Sequence, residues 1–281
     1  MQARSPVSPA LNGAPRPFLR WAGGKSKLAS AIGEFAPTQA LYDTYWEPFL
    51  GSGALFFHLR PQRAVLSDLN PALIECYRAV KKRPEDISRR LQRHRKLHSV
   101  RHYYRVRDRY NRDRHRARQA ADFIYLNKAC FNGVFRVNRD GFFNVPWGAK
   151  NRPALPCREE LLTASGALRR ARLRCCDFAA IVDRVGPGDF VYLDPPYPPL
   201  NDTAYFRHYT AQRFDGADQR RVAQTFAALA SRGCHVLLSN AATREIKSLY
   251  RGWRISEIPV RRWVSCKGER FLVNELVVTN F

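Results

Sequence analysis

The chain has 281 residues, 45% of them apolar and 12% aromatic, which suffices for one large core or two small ones and excludes a disordered chain. Its 48 Lys and Arg outnumber 24 Asp and Glu, leaving a formal charge of +24 and a pI near 10.4, so a polyanion is the partner to expect. A mean hydropathy of −0.44, with no apolar run of about 18 residues, removes a membrane span from the expectations.

Residues 1–17 carry Pro6, Pro9, Pro15 and Pro17 among small and polar residues, the composition of a flexible tail and not of a targeting segment. Phe18 to Phe35 opens with Trp21-Ala22-Gly23-Gly24-Lys25 and is expected to continue as a helix. Leu41 to Trp46 reads as a short strand, Glu47-Pro48-Phe49-Leu50-Gly51-Ser52-Gly53 as a loop, and Ala54 to Leu59 as a helix. A second apolar strand, Ala64 to Ser67, ends at Asp68, and Pro71 opens the next helix. Strand, glycine loop, helix, strand and acid make the front half of a nucleotide-binding α/β unit.

From about 71 to 130 the pattern turns helical and basic. Between Arg78 and Arg118 stand 17 Lys and Arg against Glu85, Asp86, Asp108 and Asp113, a net +13 in 41 residues that leaves +11 for the other 240. A short run of charges would be a solvated face, but at this density self-repulsion calls for compensation, and nucleic-acid phosphates supply it. Tyr103, Tyr104 and Tyr110 interleave the run, either to meet nucleic acid or to pack against a neighbouring helix. Val134 to Val145 is expected to form a hairpin with Asn138-Arg139-Asp140-Gly141 as its turn.

Past residue 158 the α/β rhythm returns, with strands near 172–176, at Phe190 to Leu193 and at His235 to Leu238, and a helix over 217–231. Strands near 253–260 and 275–279 close the chain, with Arg261-Arg262 and Lys267 to Arg270 between them. The pattern predicts an α/β domain interrupted by a basic helical insert. Seven scattered cysteines, with only Cys175-Cys176 adjacent, fit a reducing cytosol better than a disulfide framework or a zinc site. No histidine cluster has metal spacing, so no metal is expected.

Asp194-Pro195-Pro196-Tyr197 directly follows the apolar strand Phe190-Val191-Tyr192-Leu193, and open α/β sheets place ligands at strand carboxyl ends. The plainer reading is a proline-stiffened turn. The chemistry that suits these residues is an exocyclic amine on an aromatic base, whose lone pair is delocalised into the ring. The Asp194 carboxylate and the Pro195 carbonyl accept its two N–H bonds, favouring a more tetrahedral nitrogen aimed at an electrophile. The prolines, Pro196 included, stiffen the loop and donate no competing N–H. Tyr197 offers a face for stacking, and a base in a duplex must leave the stack to reach it.

Taken together and in this order, Trp21 to Lys25, Glu47 to Gly53 and Asp194 to Tyr197 resemble the Dam-type, alpha-group family of adenine-N6-specific DNA methyltransferases. The resemblance runs from about Phe18 to the C-terminus. It implies a Rossmann-like S-adenosylmethionine-dependent methyltransferase sheet with an inserted, mainly helical DNA-recognition domain. On that basis 1–17 is tail, 18–70 with 159–281 the catalytic domain, and 71–158 the target-recognition insert. The implied cofactor is S-adenosylmethionine and the implied partner double-stranded DNA. A restriction endonuclease enters as a functional partner to be looked for, and the expected location is cytoplasmic, at a prokaryotic nucleoid.

Phe56 stands where a dinucleotide fingerprint has its third glycine, which argues against NAD. Asp68, 17 residues beyond Gly51, is placed to accept ribose hydroxyls, or else caps the helix that Pro71 opens. Leu19 occupies the position where a phosphate loop ending in Gly24-Lys25-Ser26 needs glycine, which excludes ATP. By resemblance Trp21, Lys25, Gly51, Asp68 and Asp194 line the donor pocket, and Asp177 with Phe178 hold the donor's adenine; a helix cap is the plainer role for Asp177.

In the insert, Asn132-Gly133-Val134-Phe135-Arg136 and Phe142 to Pro146 resemble the family's recognition hairpin. Arg136 is the candidate for a bidentate guanine contact, or alternatively a phosphate contact, with Arg20, Asn132 and Pro146 as further DNA contacts by family position. Relatives read GATC; Ala149-Lys150 stands where an aromatic is expected, which leaves the outer base pair open. Cytosine-N4 transfer, methylation of structured RNA, and a DNA-binding protein with a degenerate donor pocket are the alternatives.

Overall fold

The computed structural model describes residues 13–113, 116–197, 214–263 and 270–281. Seven strands form one sheet: β1 (Tyr45–Glu47), β2 (Ala64–Asp68), β3 (Ala171–Cys175), β4 (Phe190–Leu193), β5 (His235–Ala241), β6 (Arg254–Trp263) and β7 (Arg270–Thr279). Their order is β3-β2-β1-β4-β5-β7-β6, and β7 alone runs antiparallel to its neighbours. This is the Rossmann-like α/β sheet the sequence pattern called for. The order reverses between β1 and β4, and that switch point is where open sheets leave a crevice at their carboxyl ends.

The strands bury both faces. Tyr45, Leu66, Phe190, Tyr192, Leu237 and Val277 belong to one core, and Trp46, Val65, Val191, Leu193, Val236 and Leu238 to the other, because side chains alternate along a strand. The first core continues into a group of helices: α3 (Pro71–Lys82), α4 (Pro84–Leu97), α5 (Val100–Arg112), α6 (Arg116–Ala129) and α7 (Arg158–Leu168). Pro71 sits in the first turn of α3, and Asn70 caps it by accepting from Ala72 N at 3.0 Å and Leu73 N at 3.1 Å, so the cap is Asn70 and not Asp68. α3 packs on β2 and β3 as well as on α6 and α7. In α4 and α5 the buried positions Ile87, Leu91 and His94, and His102, Tyr103 and Val106, fall at helical spacing, which turns the basic residues between them outward.

Several sequence expectations need correction. The helix expected from Phe18 to Phe35 shrinks to α1 (Ala29–Gly33), because Trp21 to Lys25 closes a turn, with Gly24 N donating to Trp21 O at 3.0 Å and Gly23 at φ +75. The first strand begins at Tyr45 and not Leu41, since Gln39–Leu41 is a 3-10 turn. Arg261 and Arg262 lie within β6 and Arg270 opens β7, so these basic residues do not stand between the last strands. Lys267 to Glu269, like most of the N-terminal tail, fall outside the described residues.

The expected hairpin over Val134 to Val145 forms its turn, with Gly141 N donating to Asn138 O at 3.0 Å, but no continuous ladder. Only Val137 and Phe143 pair as strand residues. The cross-strand bonds run from Asn138 N to Phe142 O at 2.9 Å and from Asn144 N to Arg136 O at 3.2 Å, while the outward-facing Phe143 N–H (2.9 Å) and carbonyl (3.0 Å) are held by the Asn111 side chain of α5. The remaining helices are α2 (Ala54–Leu59), α8 (Gly216–Ser231) and α9 (Arg244–Leu249). Among the described residues no helix is long and apolar enough to cross a membrane.

Candidate active site

At the carboxyl edge of the sheet one face turns from apolar to polar. Two residues on from the core positions Tyr45, Tyr192 and Leu237 stand Glu47, Asp194 and Ser239, and on the antiparallel β7 Glu275 stands two residues before Val277. Alternation puts all four on the same face. Asp194 Oδ1 accepts from Lys25 Nζ at 2.6 Å and from Ser239 Oγ at 2.9 Å. The Ser239 hydroxyl is in turn 2.8 Å from the Tyr192 hydroxyl. Lys25 is buried; its ammonium also donates to Gly23 O at 2.9 Å, lies 3.5 Å from Glu275 Oε1 and sits 4.4 Å from the Tyr197 ring centroid.

Asp194 Oδ1 is thus fixed, and among the described residues no group donates to Oδ2. The side chain keeps 17% of its surface exposed. Burial pushes the carboxyl upward from the ordinary aspartate range, and the Lys25 ammonium pulls it back down. Gln219 Nε2 holds the Pro196 carbonyl at 2.8 Å and is itself held by Asn240 at 3.0 Å, while the Pro195 carbonyl receives no donor among the described residues. The Tyr197 hydroxyl donates to Glu275. Glu47 accepts from the Tyr45 hydroxyl at 2.9 Å, and burial holds its carboxyl well above the usual range.

Across the switch point the glycine loop bends through left-handed Gly51 (φ +47) and Gly53 (φ +65), conformations that favour glycine. Gly51 N donates to Asp68 Oδ2 at 3.0 Å, and Asn70 N donates to Oδ1 at 2.9 Å. Burial raises the Asp68 carboxyl to about 6 even against these bonds. A Cβ on Gly51 would come within 3.0 Å of Trp21 Cδ1, so the loop, the Trp21 edge and Asp68 converge. Ser67 Oγ, next to Asp68, is buried and finds no partner among the described residues. Phe178 packs against Phe49 of the same loop at 4.9 Å. Asp177 caps the short turn after β3 by accepting from Ala179 N at 2.9 Å and pairs with Arg221 at 2.9 Å.

Trp21 also reaches into the helical region, stacking on Phe135 at 5.8 Å and on Phe123 at 6.4 Å. Beside it Asn127, buried on α6, accepts from Arg20 N at 2.8 Å and donates to Arg20 O at 2.7 Å. Gly133 (φ +66) leaves room for Arg20, whose Cδ and Nε would lie 3.0 Å from a Cβ there. Arg20 therefore crosses Gly133 next to exposed Asn132, and Pro146 joins them through the bond from Phe131 N to Pro146 O at 3.0 Å. Arg136 Nε donates to Asn144 Oδ1 at 2.9 Å. Lys150 Nζ donates to Lys128 O at 2.6 Å. Asn127→Ala is expected to lower stability by about 2 kcal/mol, since it strands the Arg20 backbone groups in a buried place; a denaturant melt measures it.

The structure thus holds Lys25, Asp194 and Tyr197 in one cluster and Trp21, Gly51 and Asp68 in a second, linked through the Trp21 to Lys25 turn, whose Gly24 lies against Ser52 of the glycine loop, with Phe178 packed against that loop and Asp177 next to Phe178. Sequence reasoning missed Ser239, Glu275, Glu47 and Asn127. For Ser239 and Glu275 the available signal was a polar residue inside an apolar strand. Among the described residues no group of His, Cys, Asp and Glu is placed to hold a metal ion.

A model of the D12 class N6 adenine-specific DNA methyltransferase family matches residues 21–264. The chain is 37% identical over 273 residues to the Type II methyltransferase M1.LlaDCHI of Lactococcus lactis subsp. cremoris, covering 95% of each. It is 35% identical over 292 residues to the Type II methyltransferase M.MjaIII of Methanocaldococcus jannaschii, covering 95% of this chain and 99% of that one. With the DNA adenine methylase of Escherichia coli (strain K12) it shares 34% over 268 residues, covering 93% and 94% respectively.

Proposed function

The chain belongs to the D12 class of N6 adenine-specific DNA methyltransferases, and from that premise we propose how its crevice performs the reaction. The family's specificity for adenine decides against cytosine-N4 transfer, and its activity decides against a merely DNA-binding protein. In the proposed arrangement the adenine leaves the duplex, its amino group donates to Asp194 Oδ2 and the Pro195 carbonyl, and Tyr197 stacks on the base. The observation that carries this reading is the state of Asp194 at the switch point: one oxygen is held by Lys25 and Ser239, the other receives no donor among the described residues, and the side chain is partly exposed. The two acceptors draw the amine toward a tetrahedral shape with its lone pair forward. No strong general base is required, because the product ammonium is acidic.

The crevice fits S-adenosylmethionine. Two carboxylates, Asp194 and Glu275, lie against the single ammonium of Lys25, a surplus that favours a cationic ligand. The unpartnered Ser67 hydroxyl and the Cβ-free face of Gly51 leave polar capacity and space on the Asp68 side. Trp21, Gly51 and Asp68 would hold the donor there, with Lys25 and Asp194 at its reactive end and Asp177 and Phe178 toward its adenine. When bound, S-adenosylmethionine supplies a methyl carbon made electrophilic by a sulfonium.

Ribose binding by Asp68 requires the ionised carboxylate. Its value of about 6 lies above the unfolded value, so between roughly pH 4 and 6 the folded chain keeps a proton the unfolded chain has lost. Its contribution to stability therefore declines as pH rises through that window, while donor affinity moves the other way. Calorimetry is expected to give about tenfold weaker S-adenosylmethionine binding at pH 5 than at pH 7.5, and Asp68→Asn should flatten the profile.

The division into residues 18–70 with 159–281 for catalysis and 71–158 for recognition belongs to the same proposal, with α3 bridging the two. Arg20, Asn132, Arg136 and Pro146 form the base-proximal surface, and the target is a GATC-related site, with Ala149-Lys150 standing where an aromatic is expected for the outer pair. Pairing with a restriction endonuclease, and action at a prokaryotic nucleoid, complete the reading. Digesting treated duplex DNA to nucleosides tests it, with N6-methyladenosine as the expected product; sequencing modified bases in DNA from expressing cells gives the site.

A further inference from the structure

We propose that Glu275 is a positioning residue for methyl transfer, fixing Tyr197 and Lys25 behind Asp194; this rests on reading Asp194 to Tyr197 as the catalytic loop. Glu275 lies on β7 opposite Ala241 of β5 and has no exposed surface. A carboxylate in such a place carries a desolvation cost of several kcal/mol, and an apolar residue would serve the strand better. What it touches gives the reason. The Tyr197 hydroxyl donates to it, and the Lys25 ammonium lies 3.5 Å from Oε1.

Lys25 has three N–H donors. One goes to Gly23 O and one to Asp194 Oδ1, which leaves the Glu275 side as the third point of a tripod. The same carboxylate therefore anchors the tip of the tyrosine ring and the ammonium lying over that ring's face. Tyr197 is fixed in tilt and Lys25 in azimuth, so Asp194 Oδ1 stays engaged and Oδ2 stays forward. Glu275 touches neither base nor donor in this arrangement; it acts through its neighbours.

Glu275→Gln keeps an acceptor of the same shape for the Tyr197 hydroxyl and removes the charge. It is expected to lower kcat by about tenfold with KM for DNA and the dissociation constant for S-adenosylmethionine within about threefold. A structural role alone would not move the pH profile. Asp194 faces Lys25 from the loop before α1, Glu275 from β7, Glu47 from β1, Tyr192 on its own strand and Tyr197 beyond it, with Ser239 as a neutral donor from β5. Removing the neighbouring Glu275 charge makes Asp194 more acidic, so the acid limb of kcat should shift to lower pH.

Tyr197→Phe supplies a second arm that leaves β7 untouched. Combined with Glu275→Gln, it should lower kcat by less than the product of the two single effects, because Glu275→Gln weakens and Tyr197→Phe removes the same contact between ring hydroxyl and carboxylate. Unchanged kcat and pH profile in Glu275→Gln, multiplicative losses in the double variant, or a lower melting temperature with full kcat per folded molecule would each overturn the proposal. If Glu275→Gln fails to fold, unchanged kcat in Tyr197→Phe has the same force against it. Failure of the underlying reading is separate: it would show as retained turnover in an Asp194 variant.

Discussion

Asp194→Ala is expected to lower kcat by about 10³-fold or more while DNA affinity stays within about tenfold of the parent enzyme. The size follows from what the side chain supplies. A single preorganised group aimed at developing charge is worth about 10²–10³ in rate, and Asp194 adds the orientation of a nitrogen that is otherwise a poor nucleophile. Because the contact matters most as the amine becomes tetrahedral, its loss falls on kcat and not on binding. The variant should fold. Lys25 keeps the Gly23 carbonyl and Glu275 as partners, so its ammonium is not orphaned as it would be in a simple buried pair. Asp194→Asn is the sharper control: it preserves shape and an acceptor oxygen but removes the charge, and its kcat should lie between the two. Single-turnover rates with pre-bound DNA measure the chemical step directly. Turnover within tenfold of the parent in the alanine variant would remove Asp194 from the chemistry.

How much of this was legible beforehand depends on where the signal lived. Ala54 to Leu59 and Phe190 to Leu193 match the observed elements because local cues bound both ends, glycines before the helix and the Asp-Pro-Pro turn after the strand. The glycine loop, Asp68 and the Asp194 loop were readable for the same reason: each sits at the end of a strand that announces itself. The hairpin was over-read, because its alternating apolar pattern reflects Phe135, Phe143 and Val145 turning into the core and not an extended ladder, of which only Val137 and Phe143 pair. Ser239 and Glu275 become visible as site residues only once β5 and β7 pair antiparallel with Ala241 opposite Glu275. That register is a long-range fact. Asn127 is of the same kind, since its role is defined by Arg20, 107 residues away.

The second large effect concerns salt. DNA affinity is expected to fall by about 10³–10⁵ between 50 and 200 mM salt, the loss for six to ten phosphate contacts released as counterions return. The structure narrows where those contacts come from. On α3, α4, α5 and the residue between α3 and α4, exposed Lys82, Arg83, Arg93, Lys96, Arg101, Arg105 and Arg112 have no carboxylate partner among the described residues. Arg89 and Arg90 are already engaged by Asp86, and Arg109 by Asp122. The buried faces of α4 and α5 are committed to the core, so the free cations project outward together and repel one another until a polyanion arrives. Neutralising one unpaired residue, as in Arg101→Gln, should reduce the slope of log affinity against log salt by about one and weaken specific and nonspecific DNA alike. Arg90→Gln, whose charge is already offset by Asp86, should change the slope by less. Fluorescence titrations across the salt series decide it: a flat profile, or equal slopes for the two variants, would mean that the basic helices do not follow a phosphate backbone and that the insert's charge serves something other than DNA.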